Sequence, residues 1–398
     1  MKRFRPAYGV VAALLLGALA SCGGQGGRGG RSVRGSQDGL SGRVRENFVR
    51  DSSSYAAGLA ISRQGDVVKV DVRDPWDSLK VRQRYWLVPR GAASDSLCRA
   101  LERGGTVVKV PVERAAVYTS VHASMAFHLG AMDRVKGVCE PQYMTSDAVR
   151  QRVKDGSLSD YGSSTAPNIE QMMADRVDVI IASPFEHGGY GAAEKLGVPI
   201  VEAADYMERL PLGRTAWIRL FGLLFGAEEK AEALLAERIA AYDALKALAA
   251  TVPASERPTV MLERKYGQSW FVPSQHSYIG TLHRDAAADY LFSDVDDADS
   301  RPMAFEQVYK RAADAQFWFL KYAADRPMTY DLLQQEYAPY ANFAPFRNRS
   351  IYACNTLSSS YYDDITLYPD RILADFISIY HPQLLPGHRL TYYFPLAE

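Results

Sequence analysis

The stretch that decides the fold runs from Ala227 to Ala250 and reads AEEKAEALLAERIAAYDALKALAA. Apolar residues recur in it at spacings of three and four, forming one stripe of Ala231, Leu235, Ile239, Tyr242, Leu245 and Ala249. Acidic residues at its start suit the positive end of a helix dipole, and prolines follow its end. At a rise of 1.5 Å per residue the helix would be roughly 35 Å long. The pattern therefore predicts a stiff rod that holds two lobes at a fixed separation.

Short strands alternate with helices on both sides of this rod. The predicted strands are 114–120, 135–139, 177–183, 199–202, 259–263, 270–272, 316–321 and 350–354. The predicted helices are 123–129, one opening at 169–173, 192–196, 278–291, 305–312 and 371–379. Such alternation requires parallel sheets with helices on both faces. We therefore predict an α/β protein of two Rossmann-like lobes, 113–226 and 253–398, joined by one long α-helix at 227–252.

Residues 57–112 have a different hydrophobic pattern. Alternating apolar residues occur in short runs that Gly, Pro and Asp separate, as in Val67-Val-Lys-Val-Asp-Val72. This alternation is typical of β-hairpins. We interpret the segment as an N-terminal β-hairpin extension, not as a separate domain.

The first residues have the features of an export signal. Lys2, Arg3 and Arg5 precede an apolar run from Val10 to Leu19, which is about half of the roughly 20 residues needed to span a bilayer. We predict a signal peptide at 1–21, ending in a lipobox-like Leu-Ala-Ser-Cys with Cys22 as the lipidated residue. The Gly- and Arg-rich residues 22–56 predict a flexible tether. The protein is thus expected at the cell envelope, lipid-anchored on the periplasmic or extracellular face.

Composition and motifs exclude several classes of function. The 46 Lys and Arg residues balance 46 Asp and Glu residues, whereas a nucleic-acid protein would carry a basic excess. The sequence contains no Gly-x-Ser-x-Gly, no His-Glu-x-x-His and no P-loop. None of the four cysteines forms a Cys-x-x-Cys pair. We therefore expect neither an enzyme nor a bound cofactor.

Several short motifs occur in order along the chain. They are Arg114-x-x-x-Tyr-x-Ser120 with His122, Ala166-Pro-Asn-Ile-Glu170, Pro211-Leu-Gly-Arg214, Trp270-Phe-Val-Pro273, Phe305-Glu306-x-Val308, Tyr368-Pro-Asp370 and His381-Pro382. Together they resemble the substrate-binding lipoproteins of iron-complex (siderophore or haem) and vitamin B12 ABC transporters, whose lobes are joined by one rigid helix. The resemblance extends from about residue 57 to the C-terminal end. It implies a monomer that captures an iron complex or cobalamin between its lobes and delivers it to a membrane permease.

Glu170 and Glu306 occupy matching places in the two lobes. The resemblance implies that these carboxylates pair with permease arginines, and one exposed charge per lobe would set the docking orientation. Each residue also lies at a predicted helix start, where a carboxylate is favoured by the helix dipole alone. Both interpretations stay open.

Ligand contacts are expected at the carboxyl ends of the strands, the usual ligand position in open α/β sheets. That position selects Ser120, His122, Tyr143, Ser163, Ser164, Phe185, His187 and Tyr190 in the first lobe and Arg264, Lys265, Tyr266, Trp270, Tyr322, Tyr361 and Tyr362 in the second. The many aromatic residues suit a broad, partly apolar ligand. Arginine and lysine suit its carboxylates or catecholates. Trp270 and Tyr266 equally suit the interior of a sheet.

Other possibilities remain at the sequence level. His122 or His187 would suit an axial ligand for iron or cobalt. With His276 and His283 they would suit a zinc or manganese receptor of the same fold. An enzyme or redox lipoprotein borrowing the fold is the remaining alternative. A disulfide between Cys98 and Cys139 is compatible with an extracytoplasmic location but not established by sequence.

Overall fold

The computed structural model describes residues 49–50, 55–297 and 300–398. The predicted signal peptide, the predicted lipidation site Cys22 and most of the predicted tether lie outside this part of the chain. No helix in the described ranges is both long enough and apolar enough to cross a membrane.

The described part of the chain begins with a five-stranded sheet. Its strands are β1 (Val49–Arg50), β2 (Leu59–Gln64), β3 (Val67–Arg73), β4 (Val81–Pro89) and β5 (Thr106–Val110), in that spatial order. The first four strands pair antiparallel, as predicted for a hairpin extension. Helix α1 (Asp95–Glu102) then carries the chain back, and β5 pairs parallel with β4. This crossover helix is not predicted by the sequence analysis.

The first lobe is built on a parallel sheet. Its elements are β6 (Ala115–Val117), α2 (Ser120–His128), β7 (Val135–Val138), α3 (Asp147–Lys154), β8 (Ser159–Asp160), β9 (Gly162–Ser163), β10 (Ala166–Pro167), α4 (Ile169–Ala174), β11 (Val179–Ala182) and β12 (Ile200–Glu202). The sheet order is β12-β11-β6-β7-β8, with every pairing parallel. Residues of the N-terminal sheet, such as Val70 and Tyr85, share one core with Val117 and Phe221. The N-terminal sheet is thus part of the first lobe's packing.

A long helix joins the lobes, as predicted. After α5 (Pro211–Thr215) and α6 (Ile218–Phe225), helix α7 covers Glu228–Ala249. Its apolar stripe divides between the two cores. Ala231 and Leu235 pack into the first lobe's core, whereas Tyr242 and Ala249 pack into the second.

The second lobe is again a sheet covered by helices. Its elements are β13 (Thr259–Leu262), β14 (Lys265–Tyr266), β15 (Ser269–Pro273), α8 (Tyr278–Asp285), β16 (Asp289–Tyr290), β17 (Ser300–Met303), α9 (Phe305–Ala312), β18 (Phe317–Tyr322), α10 (Tyr330–Glu336), α11 (Ala344–Arg347), β19 (Ile351–Asn355), α12 (Tyr361–Asp364), α13 (Pro369–Tyr380) and β20 (Phe394–Pro395). The main sheet has the order β16-β13-β18-β19-β20, parallel except for β20. The two α/β lobes joined by one helix confirm the predicted fold class.

Two elements of the second lobe differ from the prediction. The helix predicted at 278–291 ends at Asp285 because Ala287 takes a left-handed backbone conformation with φ 57°. The chain then forms β16, which pairs with β13. The predicted strand at 270–272 does form, but in a separate antiparallel sheet of β14, β15 and β17.

The lobes also touch each other, a contact that the sequence did not predict. Helix α12 of the second lobe packs on α2 of the first. Leu367 and Tyr368, which follow α12, belong to the first lobe's core. The segment after α12 is therefore a second connection between the lobes, besides α7.

Candidate functional site

A cavity of about 190 Å³ lies at the contact between the lobes. Its first-lobe wall comes from α2 and from the segment between β7 and α3, and its second-lobe wall comes from the region that follows β19. The lining residues are Ser120, Ala123, Ser124, Phe127, His128, Met144, Thr145, Ser146, Val149, Ser360, Asp363 and Asp364. The cavity thus extends along α2 from Ser120, just after β6, to His128 at the end of the helix, and it reaches the segments that follow β7 and β19.

Asp363 fastens the two lobes together beside this cavity. Its Oδ2 accepts hydrogen bonds from the Thr145 amide (2.9 Å), the Thr145 hydroxyl (2.5 Å) and the Ser146 amide (3.0 Å). Its Oδ1 is buried and has no hydrogen-bond partner. The residue is only 7% exposed, and its unpartnered oxygen is enclosed by protein atoms rather than open to the cavity.

Two further polar groups of the wall are already satisfied. Asp364 Oδ2 accepts hydrogen bonds from the Ser360 hydroxyl (2.6 Å) and the Tyr392 hydroxyl (2.9 Å). The His128 ring lies 3.0 Å from the Tyr368 hydroxyl. Burial lowers the pKa of His128, which favours the neutral imidazole near pH 7.

His122 lies behind the cavity and not at its wall. Its Nε2 is 2.9 Å from Asp205 Oδ1, and Asp205 Oδ2 accepts a hydrogen bond from the Thr366 hydroxyl (3.1 Å). All three residues are buried. This chain of contacts ties the segment after α12 to the first lobe. The prediction that His122 contacts the ligand does not fit this placement.

The loop after β11, which was predicted to contact the ligand, packs against the N-terminal sheet. The Tyr190 hydroxyl is within hydrogen-bond distance of the Ser183 carbonyl (3.0 Å) and Glu202 Oε1 (3.1 Å). Arg82 of β4 donates to the Phe185 carbonyl (2.9 Å) and pairs with Glu202 (2.6 Å). None of these side chains lines the cavity.

Two more predicted contacts of the first lobe also lie outside the cavity wall. The His187 side chain is 84% exposed. Tyr143 is half-buried in the turn just before Met144 and Thr145, which do line the cavity. Of the predicted first-lobe contacts, the structure therefore brings only Ser120 to the cavity.

The strand ends of the second lobe carry an ion pair that the sequence analysis missed. The Lys321 ammonium at the end of β18 contacts the carboxylate of Glu263, which follows β13. Burial acts to lower the pKa of Lys321, but attraction by Glu263 outweighs it, so that pKa is raised. Glu263 has a left-handed backbone with φ 61°. The sequence could have predicted this ion pair, because Glu263 and Lys321 each end a predicted strand.

The predicted basic residues of the second lobe are engaged by side chains of that lobe. Arg264 pairs with Glu336. The Lys265 ammonium lies 4.2 Å from the centre of the Tyr337 ring. Tyr266 is 55% exposed and remains accessible to a partner or ligand.

Two of the predicted aromatic contacts are core residues. Trp270 is fully buried, and its indole N–H donates to the Leu262 carbonyl (2.9 Å). Tyr361 is buried against Tyr392 and Tyr393, and burial raises its pKa to about 12. Neighbouring Tyr362 is partly exposed. The interpretation of Trp270 as part of the sheet interior fits the structure better than a ligand contact.

Glu170 and Glu306 are both exposed. Each lies in the first turn of its helix, Glu170 in α4 and Glu306 in α9. One exposed carboxylate per lobe is thus in place, and this placement suits docking and dipole stabilisation equally.

The described cysteines form no disulfide, and the described side chains form no metal site. Cys98, Cys139 and Cys354 are buried free thiols, so the disulfide that the sequence left open is not formed. Within the described ranges, no group of three or more His, Cys, Asp or Glu side chains is arranged to hold a metal ion.

Two α/β lobes joined by one helix, with a cavity where they meet, define a two-lobed binding protein. The chain belongs to the periplasmic binding protein family, whose model matches residues 115–356. This match begins after the N-terminal sheet. An uncharacterized lipoprotein of Methanocaldococcus jannaschii is 25% identical over 300 residues, which is 72% of this chain and 69% of that protein.

Solved structures share the fold at low sequence identity. The molybdate periplasmic binding protein of Haemophilus influenzae aligns with a TM-score of 0.53 at 14% identity, over 70% of this chain and 89% of its own. A Helicobacter pylori protein solved with Ni(II) aligns with a TM-score of 0.53 at 15% identity, over 71% of this chain and 88% of its own. A Vibrio cholerae siderophore binding protein solved with Fe³⁺–Desferal aligns with a TM-score of 0.50 at 16% identity, over 67% of this chain and 99% of its own. The named ligands differ on one shared fold, so the fold does not select the ligand.

Proposed function

We propose that the protein is a lipid-anchored, extracytoplasmic receptor that captures an iron complex between its two lobes and delivers it to an ABC permease. The cavity between strand-end loops of two lobes, in a chain of the periplasmic binding protein family, is the observation that carries this proposal. Anchoring would use Cys22, and the lipoprotein character of the Methanocaldococcus jannaschii relative supports it. A lipid anchor keeps the receptor close to its permease.

An iron complex is favoured over a bare metal ion. A bare zinc or manganese ion needs three or four converging protein ligands, and the described residues offer no such group. A chelated metal brings its own ligands, so the protein need only recognise the chelator by apolar and polar contacts. The cavity of about 190 Å³ would take one part of such a complex, with the remainder outside it.

Glu170 and Glu306 are proposed to dock the receptor on the permease. Reversing both charges (Glu170→Arg with Glu306→Arg) should abolish uptake of ⁵⁵Fe-labelled ferric siderophore in cells, because like charges at the contact oppose docking. The affinity of the purified protein for the same complex should stay unchanged, because both residues lie outside the cavity wall.

A matched control is available in the same kind of position. Asp95 and Asp331 are also exposed carboxylates in first helical turns, of α1 and α10. The double variant Asp95→Arg with Asp331→Arg should transport normally. Normal uptake by the Glu170/Glu306 variant, or an equal loss in both variants, would refute the docking role.

A further inference from the structure

The two walls of the inter-lobe cavity are joined by hydrogen bonds to a single side chain. Within the described ranges, the three hydrogen bonds between lining residues of opposite lobes all end on Asp363 Oδ2. Their donors are the Thr145 amide, the Thr145 hydroxyl and the Ser146 amide, which directly precede helix α3. We call this contact the Asp363 clasp. The cavity walls can separate only when the clasp breaks.

Opposing contributions make the clasp a weak closure. A carboxylate at the start of a helix is favoured by the helix dipole, and here it also accepts two backbone amides. In the clasped structure, however, Asp363 Oδ1 is enclosed without a hydrogen-bond donor, and a buried polar atom without a partner is unfavourable. Opening the clasp would return this oxygen to water. The clasp is therefore suited to opening and closing, not to locking the lobes permanently.

The clasped cavity is small for the ligand that the protein is proposed to capture. Pockets that bury most of a drug-sized ligand measure roughly 300–1,000 Å³, whereas this cavity measures about 190 Å³. In the clasped form it can hold only one part of an iron chelate. Holding more of the chelate requires the two walls to move apart.

The other connections between the lobes allow the walls to separate at the clasp. Behind the cavity, the Thr366 hydroxyl donates to Asp205 Oδ2 (3.1 Å), and the Thr366 carbonyl accepts from the Thr215 hydroxyl (2.8 Å). None of these three residues lines the cavity. A small rotation about this buried connection and α7 would therefore open the clasp without breaking their hydrogen bonds.

We propose that the Asp363 clasp holds the cavity partly shut in the unliganded protein and opens when a ligand enters. The clasp then competes with the ligand, because only the unclasped fraction of the protein accepts the larger group. The inference rests on the proposed function for the identity of the ligand, whereas the clasp itself can be measured without any ligand. A merely structural role for Asp363 predicts the opposite effect, since loss of a structural residue would weaken ligand binding.

The first test measures the separation of the walls in the unliganded, full-length protein purified in detergent. Spin labels at Gln151→Cys in α3 and Ser358→Cys before α12 report this distance by double electron–electron resonance. Both positions are exposed, and the described native cysteines are buried. Asp363→Ala removes all three hydrogen bonds and should shift the distance distribution to longer values.

Asp370→Ala is the matched control for this measurement. Asp370 is also a buried carboxylate with an unpartnered Oδ1, but it does not line the cavity. Its loss should leave the distance distribution unchanged.

The second test measures binding of ferric desferrioxamine B by titration calorimetry. Asp363→Ala should bind this complex roughly threefold to tenfold more tightly than the unaltered protein, because more of the variant is open before binding. Thr145→Val removes one hydroxyl donor of the clasp and should act in the same direction to a smaller extent. Thr145→Ser keeps the hydroxyl and should behave like the unaltered protein.

The outcomes separate this inference from the proposed function. An unchanged distance distribution in Asp363→Ala overturns the clasp, and so does weaker binding of the ferric complex by the folded variant. A longer distance in Asp363→Ala, without binding of the ferric complex by any variant, supports the clasp and counts against hydroxamate uptake. If Asp363→Ala does not fold, equal distance distributions in Thr145→Val and Thr145→Ser overturn the clasp, and a longer distance in Thr145→Val alone supports it.

Discussion

At the scale of single residues, the strand-end rule places candidates in the right region but does not decide which side chains point into the cavity. Ser120 was selected by the rule and lines the cavity, whereas Trp270 was selected by it and lies in the core. Asp363 and Thr145 were not predicted as site residues, because their hydrogen bond forms only where the two lobes meet. Two adjacent aspartates have no sequence feature that distinguishes a solvated pair from one that contains a buried acceptor.

Trp270 and Tyr266 provide a direct check of these placements. Trp270→Ala removes a fully buried indole and should lower the free energy of unfolding by about 3–5 kcal/mol. Tyr266→Ala removes a largely exposed ring and should change it by no more than about 0.5 kcal/mol. Urea unfolding followed by circular dichroism measures both. A cost for Trp270→Ala as small as that for Tyr266→Ala would show that its ring is not in the core.

At the scale of elements, the long periodic signals were the readable ones. The linking helix was predicted at 227–250 and is observed at Glu228–Ala249. Shorter helices were predicted less consistently, although the one at 305–312 is observed with the predicted bounds. Helix α1 was missed although Ser94 caps it and Cys98 and Leu101 are buried on one side. The end of α8 depends on the left-handed backbone conformation of Ala287. An alanine in the sequence does not predict this conformation, whereas a glycine would.

The linking helix sets the angular relation between the lobes. Its first half belongs to one core and its second half to the other. One alanine inserted between Ala236 and Glu237 would rotate the second half by about 100° relative to the first. Tyr242 and Ala249 would then leave their core positions. We expect a loss on the order of 5 kcal/mol, comparable with the stability of a whole domain.

Thermal unfolding followed by circular dichroism measures this effect. The control is one alanine inserted after Arg326, in the irregular segment between β18 and α10, where loops tolerate insertion. That variant should melt like the unaltered protein. A single transition at the original temperature in the Ala236–Glu237 insertion would contradict the role of the helix as a rigid joint.

At the scale of the whole molecule, the lobes are connected twice, by α7 and by the segment after α12. Thr366 of that segment accepts a hydrogen bond at its carbonyl from the Thr215 hydroxyl (2.8 Å) and donates through its own hydroxyl to Asp205. We expect two packed connections to restrict the lobes to small hinge rotations. Ligand capture would then depend on a largely preformed site and on the ligand's fit to it. The sequence predicted the linking helix but not the second connection. No sequence pattern shows that Leu367 and Tyr368, which lie in the second half of the chain, pack into the core of the first lobe.

Direct binding of an iron complex is the most direct test of the proposed receptor function. The purified protein should be melted with ferric hydroxamate, ferric catecholate, haem, cobalamin and zinc in turn, with calorimetric stoichiometry for each ligand that responds. We predict that an iron complex binds one-to-one and stabilises the fold by about 2.7 kcal/mol at a hundredfold excess over its Kd. A response to zinc alone, or to none of these ligands, would contradict it.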